Sequence, residues 1–333
     1  MTETFRALQT AKTDAGFHTS LVQRSLADLP AGDVLIRVQW SSLNYKDALS
    51  ATGNPGVTRQ YPHTPGIDAA GVVVSAADGP WKAGDRVIVT GYDLGMNTAG
   101  GYAEYIRVPA DWVVKMPEAM DARYAMLLGT AGLTAALCVE SLLDTGLAPD
   151  QGEVLVTGAS GGVGAIAVAL LAKLGFTVVA GSGKADAADW LRQLGASSVI
   201  GREELAAGKE RVLLKPRWAG VVDTVGGDIL VNALKTLKYG ASAACCGMAA
   251  SAEMHGSVFP FILRGINLLG VDSVELPLDI KQQVWDVLAE EWRLDEPQQR
   301  LQAAQLSLAE LPEWFPRILA GEVRGRVLVK VAD

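Results

Sequence analysis

The chain has 333 residues, 49% of them hydrophobic and 20% charged, a balance that argues against a disordered or fibrous protein and a length that usually exceeds one hydrophobic core. Its net charge of −8 argues against nucleic acid or a membrane surface as partner, since both need a broad basic face, so an anionic small-molecule ligand needs a local Arg or Lys cluster. Cys138, Cys245 and Cys246 lie in apolar stretches without metal-ligand spacing, and the first residues lack the basic start and apolar run of a signal peptide, so a cytoplasmic protein without disulfides is expected.

The first third alternates short β-type runs with turn signals. Strands are predicted at 33–40, 71–75, 85–90, 102–109 and 112–115, separated by Leu29-Pro30-Ala31-Gly32, Pro55-Gly56, Pro65-Gly66 and Gly79-Pro80. Residues 125–143 are the most apolar long stretch, but Glu140, two glycines and two threonines interrupt a run barely long enough to span a bilayer, and a buried helix is predicted. Beyond it, strands at 154–157, 177–180, 198–200, 220–223, 242–246 and 267–271 alternate with helices at 162–174, 185–194 and 228–237, the pattern of βαβ units on a parallel sheet. Helices at 281–291 and 310–319 follow. The closing alternating strand, 325–331, is assigned back to the β-rich first domain. The expected organisation is a discontinuous, mostly β catalytic domain (1–124 plus 275–333) with a doubly wound α/β domain (125–274) inserted into it.

Val154-Leu155-Val156-Thr157 runs directly into Gly158-x-x-Gly161-x-x-Gly164 and then into the apolar helical run 163–171. Strand, glycine turn and helix in this order form a Rossmann-type dinucleotide fingerprint: the backbone must turn sharply and approach a pyrophosphate, with free N–H groups at the helix start facing the anion. The second strand ends in Gly181-Ser182-Gly183-Lys184, where an NAD site usually places Asp or Glu on the ribose 2′-hydroxyl. With that acid missing, Ser182 and Lys184 suit a 2′-phosphate, with Arg202 as a second cation, and NADPH is favoured over NADH. Solvated surface cations are the competing reading of Lys184 and Arg202. The pair Cys245-Cys246 sits inside the apolar run 241–247 and is read as buried strand.

The segment Tyr61-Pro62-His63-Thr64-Pro65-Gly66-Ile67-Asp68-Ala69-Ala70-Gly71 resembles the signature of the medium-chain dehydrogenases/reductases, whose zinc-dependent members carry a His-Glu pair where this chain has Ile67-Asp68. Isoleucine cannot bind zinc, the first domain contains no cysteine, and His18, His63 and His255 are widely separated, so no metal site is expected. Further segments run from end to end, among them Ser41-Ser42-Leu43-Asn44-Tyr45-Lys46-Asp47, Leu128-Gly129-Thr130-Ala131-Gly132, Val222-Asp223-Thr224-Val225-Gly226-Gly227 and Arg324-Gly325-Arg326-Val327. Together they resemble the zinc-independent, quinone-oxidoreductase-like branch and, within it, the acrylyl-CoA reductase group.

That resemblance implies a GroES-like catalytic domain around the Rossmann domain, a homodimer, and NADPH-dependent reduction of a small 2-enoyl-CoA, acrylyl-CoA to propanoyl-CoA. It implies cofactor contacts at Tyr45, at Ser160, Gly161, Gly162 and Val163, at Ser182, Gly183, Lys184 and Arg202, and at Met248, Ile262 and Ser273. Asn44 and Tyr45 interrupt the chain after an apolar strand and are the candidate catalytic residues, Tyr45 orienting the cofactor and relaying a proton, Asn44 donating to the developing oxyanion. Their competing role is to cap the helix that follows. Arg264 and Arg326 are the candidate cations for the acyl-CoA phosphates or thioester, with structural ion pairing as the alternative. An NADPH:quinone or enone/alkenal reductase, and an NADPH-binding sensor or structural protein without turnover, are the rival functions.

Overall fold

The computed structural model describes residues 4–295 and 298–332. The chain forms two compact units: one takes the chain up to Thr130, Ser273–Glu290 and the chain from Gln302 onward, the other takes Ala131–Asp272 and Glu291–Leu301.

The first unit opens with a hairpin of β1 (Thr4–Thr13) and β2 (Gly16–Ser25), an element not foreseen from the sequence. β2 is largely solvent-exposed and carries no apolar stripe, so neither composition nor alternation marks it. Next come β3 (Val34–Leu43), α1 (Tyr45–Ala51), β4 (Asp68–Ala76), β5 (Arg86–Thr90), β6 (Tyr105–Val108) and β7 (Val113–Lys115). β3 is the central strand: Val34, Ile36 and Val38 recur at period two, all buried, and the strand pairs antiparallel with β4 and β6.

α2 (Ala122–Asp144) is the predicted apolar helix, and 78% of its most apolar window is buried in the protein. It is broken at Gly129, whose backbone (φ 53°, ψ −155°) is not helical.

In the second unit, β8 (Glu153–Val156), α3 (Gly162–Lys173), β9 (Thr177–Gly181), α4 (Ala188–Gln193), β10 (Ser198–Ile200), α5 (Arg202–Ala206), β11 (Trp218–Asp223), α6 (Gly227–Lys235), β12 (Leu237–Cys245), α7 (Phe259–Arg264) and β13 (Asn267–Gly270) follow in order. The six strands form one parallel sheet in the order β10-β9-β8-β11-β12-β13. This is the doubly wound arrangement, and its topological switch falls between β8 and β11, at the strand that feeds the glycine turn. Residues 291–301 belong to this unit, tied on by Trp190 Nε1–H donating to the Arg300 carbonyl (3.2 Å) and by an exposed Lys173–Asp295 pair at 3.6 Å.

The chain then completes the first unit with α8 (Leu278–Ala289), β14 (Gln302–Ser307), α9 (Trp314–Leu319) and β15 (Arg326–Lys330). β15 pairs antiparallel with β3, so the C-terminal strand does return to the first sheet, whose order is β14-β15-β3-β4-β5-β7. β14, polar and at the edge, was not anticipated. The helix expected over 310–319 is split: Leu308–Glu313 is a 3-10 turn containing Pro312, which lacks the N–H an α-helix would use there, and only α9 is α-helical.

Candidate functional site

In the second unit the end of β8 leads into Gly158, whose φ of 58° lies in the left-handed region; a Cβ there would overlap Thr224 Oγ1, which donates 2.9 Å to the Thr157 carbonyl. A Cβ on Gly164 would overlap the Gly158 carbonyl, so the first turn of α3 packs directly onto the glycine turn. Gly161 is the extended N-cap of α3, Gly162 and Val163 are its first residues, and no side chain caps that end. This leaves the helix N-terminus as a cradle for an anion.

Ser160 and Ser182 are both buried, and their hydroxyls lie 3.2 Å apart, which joins the end of β9 to the glycine turn. Ser182 Oγ also accepts the Lys184 N–H at 3.1 Å. A Cβ on Gly183 would overlap Arg202 Nε, because the Arg202 side chain lies against the Gly183 backbone. The structure therefore brings Ser160, Ser182, Gly183 and Arg202 together, with Lys184 half-buried beside them. This glycine cradle with serines and cations at the end of the second strand fits a dinucleotide carrying an extra phosphate. Met248 (71% exposed) and Ile262 (69% exposed) present apolar surface on the same unit.

Beneath the turn lies a network that the sequence did not reveal. Asp223 Oδ1 accepts from Thr157 Oγ1 (2.6 Å) and Oδ2 from the Gly226 N–H (2.8 Å), fixing the ends of β8 and β11 relative to each other. Burial raises the Asp223 carboxyl above its usual range, and burial pushes the neighbouring Cys245 thiol up to about 11, which keeps it protonated and inert.

Arg264, expected as a phosphate cation, is engaged with backbone carbonyls. Its Nη1 donates to the carbonyls of Lys235 (2.7 Å) and Leu237 (3.2 Å) and its Nη2 to that of Leu214, so the guanidinium serves the C-terminal end of α6 and the start of β12.

In the first unit Asn44 is the N-cap of α1 and Tyr45 its first residue, with the Tyr45 side chain 50% exposed. The Asn44 N–H donates to Asp47 Oδ2 (2.8 Å), so the Asp47 carboxylate, and not the Asn44 side chain, closes the helix start. The Asn44 side chain does something else: Nδ2 donates to Asp68 Oδ2 (2.8 Å), and Oδ1 accepts from Arg326 Nη1 (3.1 Å). Asp68 also accepts from Ser42 Oγ (2.5 Å) and from Thr130 through its N–H (3.0 and 3.1 Å) and hydroxyl (2.6 Å).

Arg326, the other expected phosphate cation, is 3% exposed and spends its donors on the Leu127 carbonyl (3.0 Å), Ser42 Oγ (2.8 Å) and Asn44 Oδ1. Enclosed in this way it cannot meet a CoA phosphate. Asp47, fully buried, accepts from the N–H groups of Asn44 and Ile67 and from the Tyr102 hydroxyl (2.9 Å), and burial together with the nearby Asp68 charge pushes its carboxyl up to about 7.

Thus the position of the zinc-dependent His-Glu pair is occupied by Ile67, whose backbone is bonded to Asp47, and by Asp68 at the centre of a polar network. Among the described residues no group of three His, Cys, Asp or Glu side chains is arranged to hold a metal. Sequence reasoning missed Asp47, Asp68, Tyr102 and Thr130 as a unit; the polar run 41–47 inside otherwise apolar sequence was the available signal. Ser273 lies in this unit and is buried.

These features define a Rossmann-type dinucleotide-binding protein with an attached β-rich unit. Residues 30–118 match the alcohol dehydrogenase GroES-like domain and residues 162–290 the zinc-binding dehydrogenase domain. The chain is 45% identical to YhfP of Bacillus subtilis, named for quinone oxidoreduction, over 99% of this chain and 100% of that one. The structure of yhfP with NAD bound superposes with a TM-score of 0.95 at 44% identity, covering 98% of this chain and 99% of that one.

The acrylyl-CoA reductase AcuI of Ruegeria pomeroyi is 45% identical over 98% of this chain and 99% of its own. The yhdH oxidoreductase of Salmonella enterica, solved in complex with NADP, matches with a TM-score of 0.95 and 43% identity over 98% of this chain and 100% of that one. The chain belongs to the medium-chain dehydrogenase/reductase family, in its quinone-oxidoreductase-like branch and acrylyl-CoA reductase group, and is an oxidoreductase.

Proposed function

We propose that this protein reduces the carbon–carbon double bond of a small 2-enoyl-CoA, acrylyl-CoA to propanoyl-CoA, with NADPH. The observation that carries this reading is the end-to-end similarity to the Ruegeria acrylyl-CoA reductase. When bound, NADPH supplies the hydride. The residues suited to hold it are Ser160, Gly161, Gly162 and Val163 for the pyrophosphate and Ser182, Gly183, Lys184 and Arg202 for the 2′-phosphate. Tyr45, Met248, Ile262 and Ser273 are assigned to the nicotinamide side.

Saturating an enoyl thioester calls for hydrogen-bond donors at the thioester oxygen and a proton at the α-carbon. Asn44 Nδ2 donates to Asp68 at 2.8 Å and to the Ser42 carbonyl at 3.4 Å, and the longer of the two bonds is the one an oxyanion would replace. Tyr45, half-exposed at the helix start, orients the cofactor and relays the proton through its hydroxyl. The three free cysteines fit a cytoplasmic setting. The protein assembles as a homodimer through the free edge of β13.

A second reading, NADPH-dependent reduction of a quinone or enone, is favoured by one observation: Arg264 and Arg326 are committed to carbonyls and to the buried network, so the two cations expected to meet CoA phosphates do not. Steady-state kinetics with acrylyl-CoA, crotonyl-CoA and a quinone side by side separate the two. For the enoyl-CoA reading, kcat/KM for acrylyl-CoA exceeds that for the quinone by about 100-fold or more, since binding energy from the CoA moiety is used at the reacting centre. Equal efficiencies support the quinone reading instead.

A further inference from the structure

Tyr92 is the one non-glycine residue with positive φ (51°) among the described residues. A bulky residue in left-handed backbone is an outlier that persists only where its surroundings over-determine it, and such outliers gather at functional sites. Here the surroundings are unusual. The Lys281 ammonium lies 3.5 Å from the Tyr92 ring centroid and donates to the Thr90 carbonyl at 2.8 Å, and Lys281 is fully buried. Taking an ammonium out of water is costly, so a buried lysine over an aromatic face is a strong constraint on that ring. The ring also stacks on Trp112, with centroids 5.6 Å apart and planes at 13°.

Held in this way, Tyr92 grips one segment. Its N–H donates to the Val274 carbonyl (3.1 Å) and its hydroxyl to the Leu276 carbonyl (3.0 Å). Gly91, immediately before it, lies so close to the carbonyls of Ser273 and Val274 that a Cβ would stand 3.0–3.1 Å from them. The gripped stretch begins at Ser273, where the chain re-enters the first unit, and Ser273 is the buried residue assigned to the nicotinamide side of the cofactor.

We propose that Tyr92, braced by Lys281, is a positioning residue that fixes the 273–276 segment and thereby sets how tightly Ser273 holds the reduced cofactor. The proposal rests on the cofactor assignment of Ser273 and is independent of which substrate is reduced.

The test measures NADPH affinity directly, from the fluorescence of the bound reduced cofactor, in Tyr92→Phe, Lys281→Met and Ser273→Ala. Tyr92→Phe keeps the ring, its stacking and the lysine contact but loses the bond to Leu276; one hydrogen bond corresponds to about a five-fold weaker Kd for NADPH. Lys281→Met removes the brace and weakens binding by about ten-fold or more, while the KM of the reducible substrate changes by less than about two-fold in both variants. Should Lys281→Met not fold, Tyr92→Phe alone decides the matter.

Variants that lose thermal stability yet bind NADPH as the wild type does make the clamp purely structural and overturn the proposal. Ser273→Ala with unchanged NADPH affinity overturns it at its premise. Because binding is read without substrate, failure of acrylyl-CoA as substrate is a separate result.

Discussion

Placing Asp at position 184 would put a carboxylate next to Ser182 and beside the Arg202 side chain that lies on Gly183. The Salmonella relative was solved with NADP and the Bacillus relative with NAD at nearly equal similarity to this chain, so discrimination falls to a few side chains rather than to the fold. Lys184→Asp is expected to lower the ratio of NADPH to NADH kcat/KM by about 100-fold, through repulsion of a 2′-phosphate and a new acceptor for a ribose hydroxyl. An unchanged ratio would remove Lys184 from the site.

Asp47 gives a second prediction at this scale. Folding raises its carboxyl from an ordinary 3.8 to about 7, so between those values the folded chain holds a proton that the unfolded chain releases. Its stabilising contribution is therefore fully present below pH 3.8 and is lost as pH rises toward 7. Asp47→Asn, compared with wild type by thermal unfolding across pH 4 to 8, is expected to flatten that part of the profile, although an amide cannot accept all the bonds the carboxylate accepts. Such chemistry was only partly legible in the sequence. Glycine and charge at a strand end marked Ser182, Gly183 and Arg202, which the structure brings together; for Arg264 and Arg326 a sequence shows the charge and not the carbonyls and buried side chains that occupy their donors.

At the scale of elements, the βαβ alternation of the second unit was readable almost strand for strand, since strands buried on both faces show as short apolar runs. What escaped were elements without such a run: the exposed hairpin β1/β2, the polar edge strand β14, and the break inside α2. The break shows why. Periodicity from 125 to 143 supports one continuous helix, but at Gly129 the backbone leaves the helical region, and the Thr130 N–H and hydroxyl turn onto Asp68, whose carboxylate caps the restarted helix. A Cβ at position 129 would overlap Asp68 Oδ2 and crowd Ser42 Oγ and Arg326 Nη2. Gly129→Ala therefore combines forbidden backbone geometry with disruption of a buried charged network, and is expected to cost about 3 kcal/mol or more of stability in denaturant titration. A loss below about 1 kcal/mol would mean the break is not dictated by Asp68, since at a backbone that alanine can adopt the same change stabilises by about 0.4–1 kcal/mol.

For the whole molecule, the question is what covers the open edge of the second sheet. Among the described residues β13 is an outer strand of that sheet, and no strand pairs with its far side. The same unit leaves Val258 and Leu263 well exposed, and α7, which carries Leu263, directly precedes the strand. An open strand beside apolar surface suits an isologous two-fold contact in which β13 pairs with its own copy, and each copy then contributes the same apolar residues. The protein is expected to sediment as a dimer at micromolar concentration, with a thermal midpoint that rises with protein concentration. Leu269→Glu, in the middle of β13, would bring two like charges close together across the axis, and it should weaken the dimer by about 100-fold or more while the separate glycine-turn site keeps its NADPH affinity. A wild-type chain that sediments as a monomer throughout that range would leave the β13 edge to some other partner. A dimer indifferent to Leu269→Glu would move the contact elsewhere on the surface.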